Sequence, residues 1–302
     1  MNGKRVRHAL EYALFRVLTT VLLALPERPA LALGGALGWF AGVVPRIRRA
    51  DVDRHLLQAF PDESAAWRAR VARGSYAHLG REAVATFRMA AMDAGAVVAR
   101  TTVEGHDAFL AAVAEGKGVV LVTGHLGNWE LGGAALTARG TPMDAVAKGM
   151  ANRRFGADLV ASRERLGMRI VDMSEASRTC MRTLKAGGVV GLVADQNARP
   201  DSVFVPFFGK LAATFPGPAL FALRTGAPIF LGVCLREPGR PHRYRVRLRR
   251  LDPEPTGDLE ADIVRLTRAH TAALEDAVRA APEQYFWQHK RWKTRPPGEA
   301  SG

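Results

Sequence analysis

This sequence predicts an α/β fold with a mostly parallel central sheet flanked by helices, preceded by an N-terminal membrane-associated helical segment. Three observations carry the prediction. From about residue 101 onward, short β-branched apolar runs alternate with longer segments of helical periodicity, the order expected of βαβ units. Two of those runs, Val119-Val120-Leu121-Val122-Thr123 and Val189-Val190-Gly191-Leu192-Val193-Ala194, lead directly into polar or glycine residues, as buried strands do at the carboxyl edge of a sheet. The first 45 residues differ: they hold two apolar runs bordered by basic residues.

The elements follow in order. Lys4, Arg5, Arg7 and His8 precede an apolar segment, Ala9 to Leu25, which Glu11 and Arg16 interrupt and Pro26 and Pro29 break. A second small-residue run, Ala30 to Val44, leads into Pro45-Arg46-Ile47-Arg48-Arg49. The first run is near the lower length limit for a membrane span and carries two charges. Those charges, and the lack of a small-x-small cleavage site before a polar start, argue against a secretory signal. Residues 1–50 are therefore expected to form an anchor, embedded in or lying on a membrane, with the basic flanks on the cytoplasmic side. A pair of ordinary buried helices is the alternative. Residues 51–92 read as amphipathic helices broken at Pro61-Asp62. Strands are expected at Val119 to Thr123, Ala145 to Ala147, Met168 to Val171, Val189 to Ala194, Pro228 to Leu235 and Tyr244 to Leu251. Helices are expected at Trp129 to Arg139, Arg153 to Leu166, Ser174 to Ala186, Pro218 to Thr225 and Leu259 to Ala280. Residues 51–295 make up the main domain. The tail, 296–302, is low in hydrophobicity and expected to be disordered.

Composition sets the classes to consider. A chain of 302 residues with 48% hydrophobic and 24% charged residues can bury a large core and is not of disordered type. Cys180 and Cys234 lie in apolar surroundings, with neither a metal spacing nor a disulfide framework. The formal charge of +14 implies an anionic partner, although an arginine-rich composition can also reflect a GC-rich genome.

The densest chemical signal is Gly124-His125-Leu126-Gly127-Asn128-Trp129-Glu130, directly after the first strand. In one continuous helix, five steps would separate His125 and Glu130 by about 140°. In a strand, an odd separation would put them on opposite faces. They can meet only across a turn, which Gly124 and Gly127 permit. Asn128 fits a helix N-cap and places Glu130 in the first turn, where the helix dipole favours an anion. His125 then sits at a strand end as a candidate general base, with Glu130 as the group that orients its ring. The plain alternative is a loop histidine and a glutamate that serves only its helix.

Other segments are ambiguous. Asp195 and Gln196 close the second strand and can contact a substrate or a cationic group, or simply cap a loop. Val203-Phe204-Val205-Pro206-Phe207-Phe208-Gly209 reads as an apolar loop, since Pro206 is foreign to a central strand. Phe204, Phe207 and Phe208 would line an acyl groove or touch lipid if exposed, and are core if buried. Arg163 and Arg165, near a helix end, could stabilise an oxyanion or a phosphate. Arg243, Arg245, Arg247 and Arg249 alternate along a strand, as a phosphate-holding face or a solvated edge. Pro282 to Lys293 joins aromatics to basic side chains, as in single-stranded nucleic acid binding or a clamp that packs the C-terminus on the sheet. No Gly-x-Ser-x-Gly elbow, His-Glu-x-x-His, P-loop or zinc cluster occurs in the sequence, so a His–Glu pair fits direct transfer better than a covalent intermediate.

These residues together resemble a family, the bacterial lipid A biosynthesis acyltransferases of the lysophospholipid acyltransferase superfamily. The resemblance rests on His125-x4-Glu130 and Arg163 in Ser-Arg-Glu-Arg. It extends to Asp195-Gln196, Phe204-Val205-Pro206-Phe207-Phe208-Gly209, Arg224-Thr225-Gly226-Ala227-Pro228 and Pro282 to Trp287. It spans nearly the whole chain. It implies transfer of a fatty acyl chain from acyl carrier protein to a hydroxyl of a lipid A precursor, at the cytoplasmic face of the inner membrane. It further implies that His125 deprotonates the acceptor with help from Glu130, and that Arg163 (or Arg165) and Asp195 matter for activity. The thioester of acyl carrier protein serves as donor substrate, with no cofactor and no metal. The expected partners are acyl carrier protein, an anionic glycolipid acceptor and the membrane, with no nucleic acid. A different glycolipid acceptor, such as a phosphatidylinositol mannoside with acyl-CoA as donor, and a basic nucleic-acid-binding protein are the competing readings.

Overall fold

Val119-Val120-Leu121-Val122 can lie at the centre of a sheet because every one of these side chains is apolar and buried on both faces. In the computed structural model, which describes residues 3–198, 202–252, 255–296 and 298, this strand is flanked on each side by others. The chain begins with α1 (Gly3–Ala24), α2 (Glu27–Val43), α3 (Arg49–Ala59), α4 (Ala65–Met89) and α5 (Ala94–Arg100). It continues with β1 (Thr101–Glu104), α6 (His106–Ala114), β2 (Val119–Thr123), α7 (Trp129–Thr137), β3 (Met143–Ala147), α8 (Arg153–Arg165), β4 (Met168–Asp172), α9 (Ala176–Lys185) and β5 (Val189–Val193). It ends with β6 (Val203–Phe207), β7 (Lys210–Thr214), α10 (Gly217–Thr225), β8 (Ile229–Arg236), β9 (Tyr244–Leu251) and α11 (Leu259–Ala280).

Seven strands form the main sheet in the order β1-β9-β8-β2-β5-β3-β4. The run from β8 to β4 is parallel, while β9 is antiparallel to β8 and pairs parallel with β1. The expected α/β class with a mostly parallel sheet is what the chain adopts. β2 and β5 lie side by side with Thr123 opposite Val193, so their carboxyl ends open at the same point of the edge. One apolar core lies between the sheet and α7, and a second between the sheet, α9 and α10.

Several expectations change. The segment 203–209 is not a loop: it is the first arm of a two-stranded antiparallel hairpin, β6–β7, outside the main sheet. Phe208 and Gly209 form its turn, both with positive φ, and Pro206 is tolerated because β6 pairs on one side only. The arginine-bearing strand β9 is not an edge: β1, absent from the sequence reading, lies outside it. Arg245 and Arg247 pair with Glu104 of β1, and Arg249 with Asp276 of α11, so this face is largely neutralised by its neighbours.

Residues 3–24 and 27–43 are helical, but among the described residues no helix is long and apolar enough to cross a membrane. The second apolar run has a docking function that its hydrophobicity hid. Gly38 of α2 and Gly80 of α4 bring the two backbones into contact: a Cβ on Gly38 would lie 2.1 Å from the Tyr76 carbonyl oxygen, and one on Gly80 2.2 Å from that of Gly34. Leu10, Leu14 and Val17 of α1, Phe40 of α2, and Val44 and Ile47 just after α2 are exposed. The expected disordered tail lies outside the described residues, apart from positions 296 and 298.

Candidate active site

The chain leaves β2 at Thr123 and turns sharply into α7. Gly127 takes φ of +65°, and a Cβ there would lie 1.9 Å from the Cys234 carbonyl oxygen, so only glycine fits. Asn128 is the N-cap: its Oδ1 accepts from the Leu131 N–H at 2.9 Å. Its Nδ2 donates to Glu82, a buried carboxylate that also receives Arg236 Nε at 2.6 Å and the Tyr244 hydroxyl at 3.0 Å. Gly124 is needed for space instead of conformation, since a Cβ would meet Leu274 at 2.6 Å and Asp195 Oδ2 at 3.1 Å.

This turn delivers His125 to Asp195, at the end of β5. Asp195 Oδ1 accepts from the ring Nδ1 at 2.6 Å, and Oδ2 accepts from the His125 backbone N–H at 2.8 Å. The carboxylate thereby fixes both the ring and the backbone that carries it. With Nδ1 as the N–H, the lone pair sits on Nε2, where the Gln196 amide donates at 3.1 Å. The Trp129 ring packs edge-on against the imidazole, with centroids 4.6 Å apart. Burial alone would lower the His125 pKa, but the charge and hydrogen bond of Asp195, with the charge of Glu130, outweigh it and raise the value above 6.5. Burial would raise the Asp195 pKa, but His125 and Arg291 overcome it and hold the carboxyl below 3.8.

Glu130 is close enough to act on His125 by charge, yet the expected ring contact is not made. Its carboxylate is taken by Arg163 in a two-point pair, with Nε to Oε2 at 2.7 Å and NH2 to Oε1, and the Trp129 indole N–H donates at 3.2 Å. Asp195 supplies the ring contact instead because β5 adjoins β2 in the sheet. The ambiguity between the two arginines ends here: Arg163 faces the site, whereas Arg165 points away and donates to the Met89 carbonyl at 2.9 Å.

His125, Glu130, Arg163 and Gln196 all line a cavity of about 530 Å³. Its interior is apolar and lies between the sheet and α7. Glycines keep it open: Gly132 and Gly133 on α7 face Gly191 on β5 and Gly232 on β8, with Met143, Met168 and Leu136 among them. A half-open, largely apolar cavity with a few polar groups in its lining suits a long hydrophobic ligand. Phe207 and Phe208 do not line it. They are buried among Tyr285, Trp287, Trp292 and Phe60, which is the core alternative of the sequence reading, because the hairpin turns them inward. Phe204 is half-buried on the same hairpin and also lies outside the lining. Both cysteines are buried and free, and burial pushes the Cys180 thiol up to about 11. Among the described residues no three His, Cys, Asp or Glu side chains gather as a metal site would need.

The C-terminal aromatic and basic segment has a role that local reading left open. It crosses the site and ties the two loops together. The Phe286 N–H donates to the His125 carbonyl at 3.0 Å, and Gly127 N–H to the Gln284 carbonyl at 2.9 Å. The Asn197 N–H donates to His289 Nε2 at 2.9 Å. The clamp reading of this segment agrees with these contacts.

Comparison with known proteins follows the same line. A family model described as bacterial lipid A biosynthesis acyltransferase matches residues 2–294. The chain is 28% identical over 280 residues to a lipid A biosynthesis palmitoleoyltransferase of Escherichia coli (strain K12), covering 92% of this chain and 89% of that protein. It is 29% identical over 284 residues to the lipid A biosynthesis lauroyltransferase of the same organism, covering 93% and 90%. It is also 31% identical over 165 residues to a phosphatidylinositol mannoside acyltransferase of Mycolicibacterium smegmatis, with about half of each chain, 53%, in the match.

Proposed function

Since the chain belongs to the bacterial lipid A biosynthesis acyltransferase family and is an acyltransferase, we propose that it moves a fatty acyl group from the thioester of acyl carrier protein to a hydroxyl of a phosphorylated lipid A precursor at a membrane surface. The observation that carries this reading is the His125–Asp195 pair, with His125 in the lining of a largely apolar cavity. The acceptor hydroxyl displaces Gln196 from Nε2, which takes the proton as the oxygen attacks the thioester carbon. Asp195 stabilises the imidazolium that results. A positioned base of this kind contributes roughly 10²–10⁴-fold. As the carbonyl becomes an oxyanion, Arg163 is the cation of the lining that Glu130 holds in place to face it. The imidazolium then returns its proton to the departing thiolate, and the acyl chain leaves the cavity on its new ester. The charge of +14 suits both an acidic carrier protein and a phosphorylated acceptor.

A second acceptor is favoured by one observation, the 31% identity to a phosphatidylinositol mannoside acyltransferase over half the chain. One assay separates the two. Membranes with the full chain receive labelled acyl carrier protein or acyl-CoA, with lipid A precursor or phosphatidylinositol mannoside as acceptor. Transfer to the lipid A precursor from the carrier protein is expected, with a loss of at least about a hundredfold in His125→Ala. Near-normal transfer by that variant would remove His125 as the base, and transfer to the mannoside alone would replace the acceptor.

A further inference from the structure

We propose that Arg291 is a positioning residue for the His125–Asp195 pair: it fixes the loop that carries Asp195 and sets a positive charge behind that carboxylate. The inference rests on His125 as the base. Arg291 belongs to the C-terminal segment whose basic residues suggest nucleic acid or membrane when read by charge, but it is only 2% exposed and faces inward. Its NH1 donates to the Ala213 carbonyl at 2.5 Å and reaches the Gln196 carbonyl at 3.4 Å. Its NH2 donates to Thr214 Oγ1 at 2.6 Å. The planar fork thus joins the end of β7 to the residue after Asp195, while its face lies over the Phe207 ring at 5.5 Å. A lysine has no such fork and cannot make all three contacts at once.

The charge matters as much as the bonds. The groups around Asp195 are His125 from the turn after β2, Tyr285, His289 and Arg291 from the C-terminal segment, and His270 from α11. Glu130 also acts on His125 by charge, and Arg163 pairs with Glu130. Burial brings His270 and His289 down to about 4, so both are neutral near pH 7. Arg291 is then the standing cation behind the carboxylate. A cation there opposes protonation of the imidazole–carboxylate pair as a whole and keeps the base available at lower pH.

The test uses the full chain with Arg291→Met and Arg291→Lys, with folding checked by circular dichroism. The acid limb of kcat/KM and the NMR titration of the His125 imidazole are both followed. We expect R291M to lose about 10–100-fold in kcat, the scale seen when an outer partner of a metal-bound histidine is removed. Its acid limb and its imidazole pKa should both move upward. R291K should lose rate as well, with both titrations near those of the parent, because the charge remains and the fork does not. A folded R291M with parent rate and titration overturns the proposal. Equal losses in both variants with an unmoved imidazole also overturn it, by reducing Arg291 to a structural staple. If R291M does not fold, Arg291→Gln takes its place beside R291K: a rate loss with a raised imidazole pKa supports the proposal, and a parent titration or a parent rate overturns it. His125→Ala runs in parallel. An active H125A removes the underlying reading, whereas an inactive H125A beside a normal R291M removes only Arg291.

Discussion

His125 is bound at three points, by its N–H and Nδ1 to Asp195 and by its carbonyl to the Phe286 N–H, and one ring nitrogen remains for chemistry. The direction of its pKa has a consequence. The base works only when neutral, and Asp195 raises its pKa above 6.5, so activity should climb with pH through a midpoint above that value. Asp195→Asn removes the charge that raises it. The midpoint should then fall, and the plateau should drop by about 10²–10⁴-fold because the ring loses its anchoring anion. A pH profile of kcat/KM checks both, and a midpoint that rises or stays would sink the assignment. The pair also contributes to stability with two signs. The Asp195 share is present above its unfolded value of 3.8 and is lost as pH falls through its lower folded value. The His125 share is full below 6.5 and is lost as pH rises through its higher folded value. At this scale the sequence made His125, Glu130, Asp195 and Arg163 legible as polar residues at element ends. It could not say that Glu130 pairs with Arg163 and Asp195 with His125, since the latter two lie 70 residues apart.

Helix α7 carries both the site and the wall of its cavity. Its N-cap was legible from Asn128, because capping is decided within a few residues. Its cavity face was not, because Gly132 and Gly133 have no hydrophobic signature and act by leaving space. Gly133→Ala tests that role. The change should favour the helix by about 0.5–1 kcal/mol intrinsically. The new methyl would sit 2.9 Å from Met168 Sδ, a flexible side chain that can move into the cavity. A fold at least as stable, with acyl preference shifted to shorter chains, is the expected outcome of a thermal melt and a donor panel of graded length. An unchanged preference would mean that the acyl chain lies elsewhere. The hairpin β6–β7 shows a further limit of local reading. Phenylalanines in an apolar stretch look alike whether they face lipid or core, and only the packing of the C-terminal aromatics decided for core.

For the whole molecule, the +14 charge and the exposed apolar side chains of α1 and α2 make binding to anionic lipid the expectation to test. The exposed Leu10 and Leu14, at 66% and 71%, lie on the outer side of α1, while Phe15 packs against Phe87 and Phe155. Burying one leucine in lipid is worth roughly 1.5–3 kcal/mol. Replacing Leu10 and Leu14 together with Gln should therefore weaken flotation with anionic vesicles by at least about tenfold. Retention at the parental level would remove α1 from the membrane contact.

The sequence by itself determined the parallel strands from β2 onward with the helices between them, the turn at Gly127-Asn128 and the family, because periodicity, capping and motif spacing are local properties. Only the tertiary structure decided which carboxylate holds the base, which arginine faces the cavity and what the C-terminal segment ties together. Those depend on β5 lying beside β2, and strand adjacency is a long-range outcome of how the apolar faces pack.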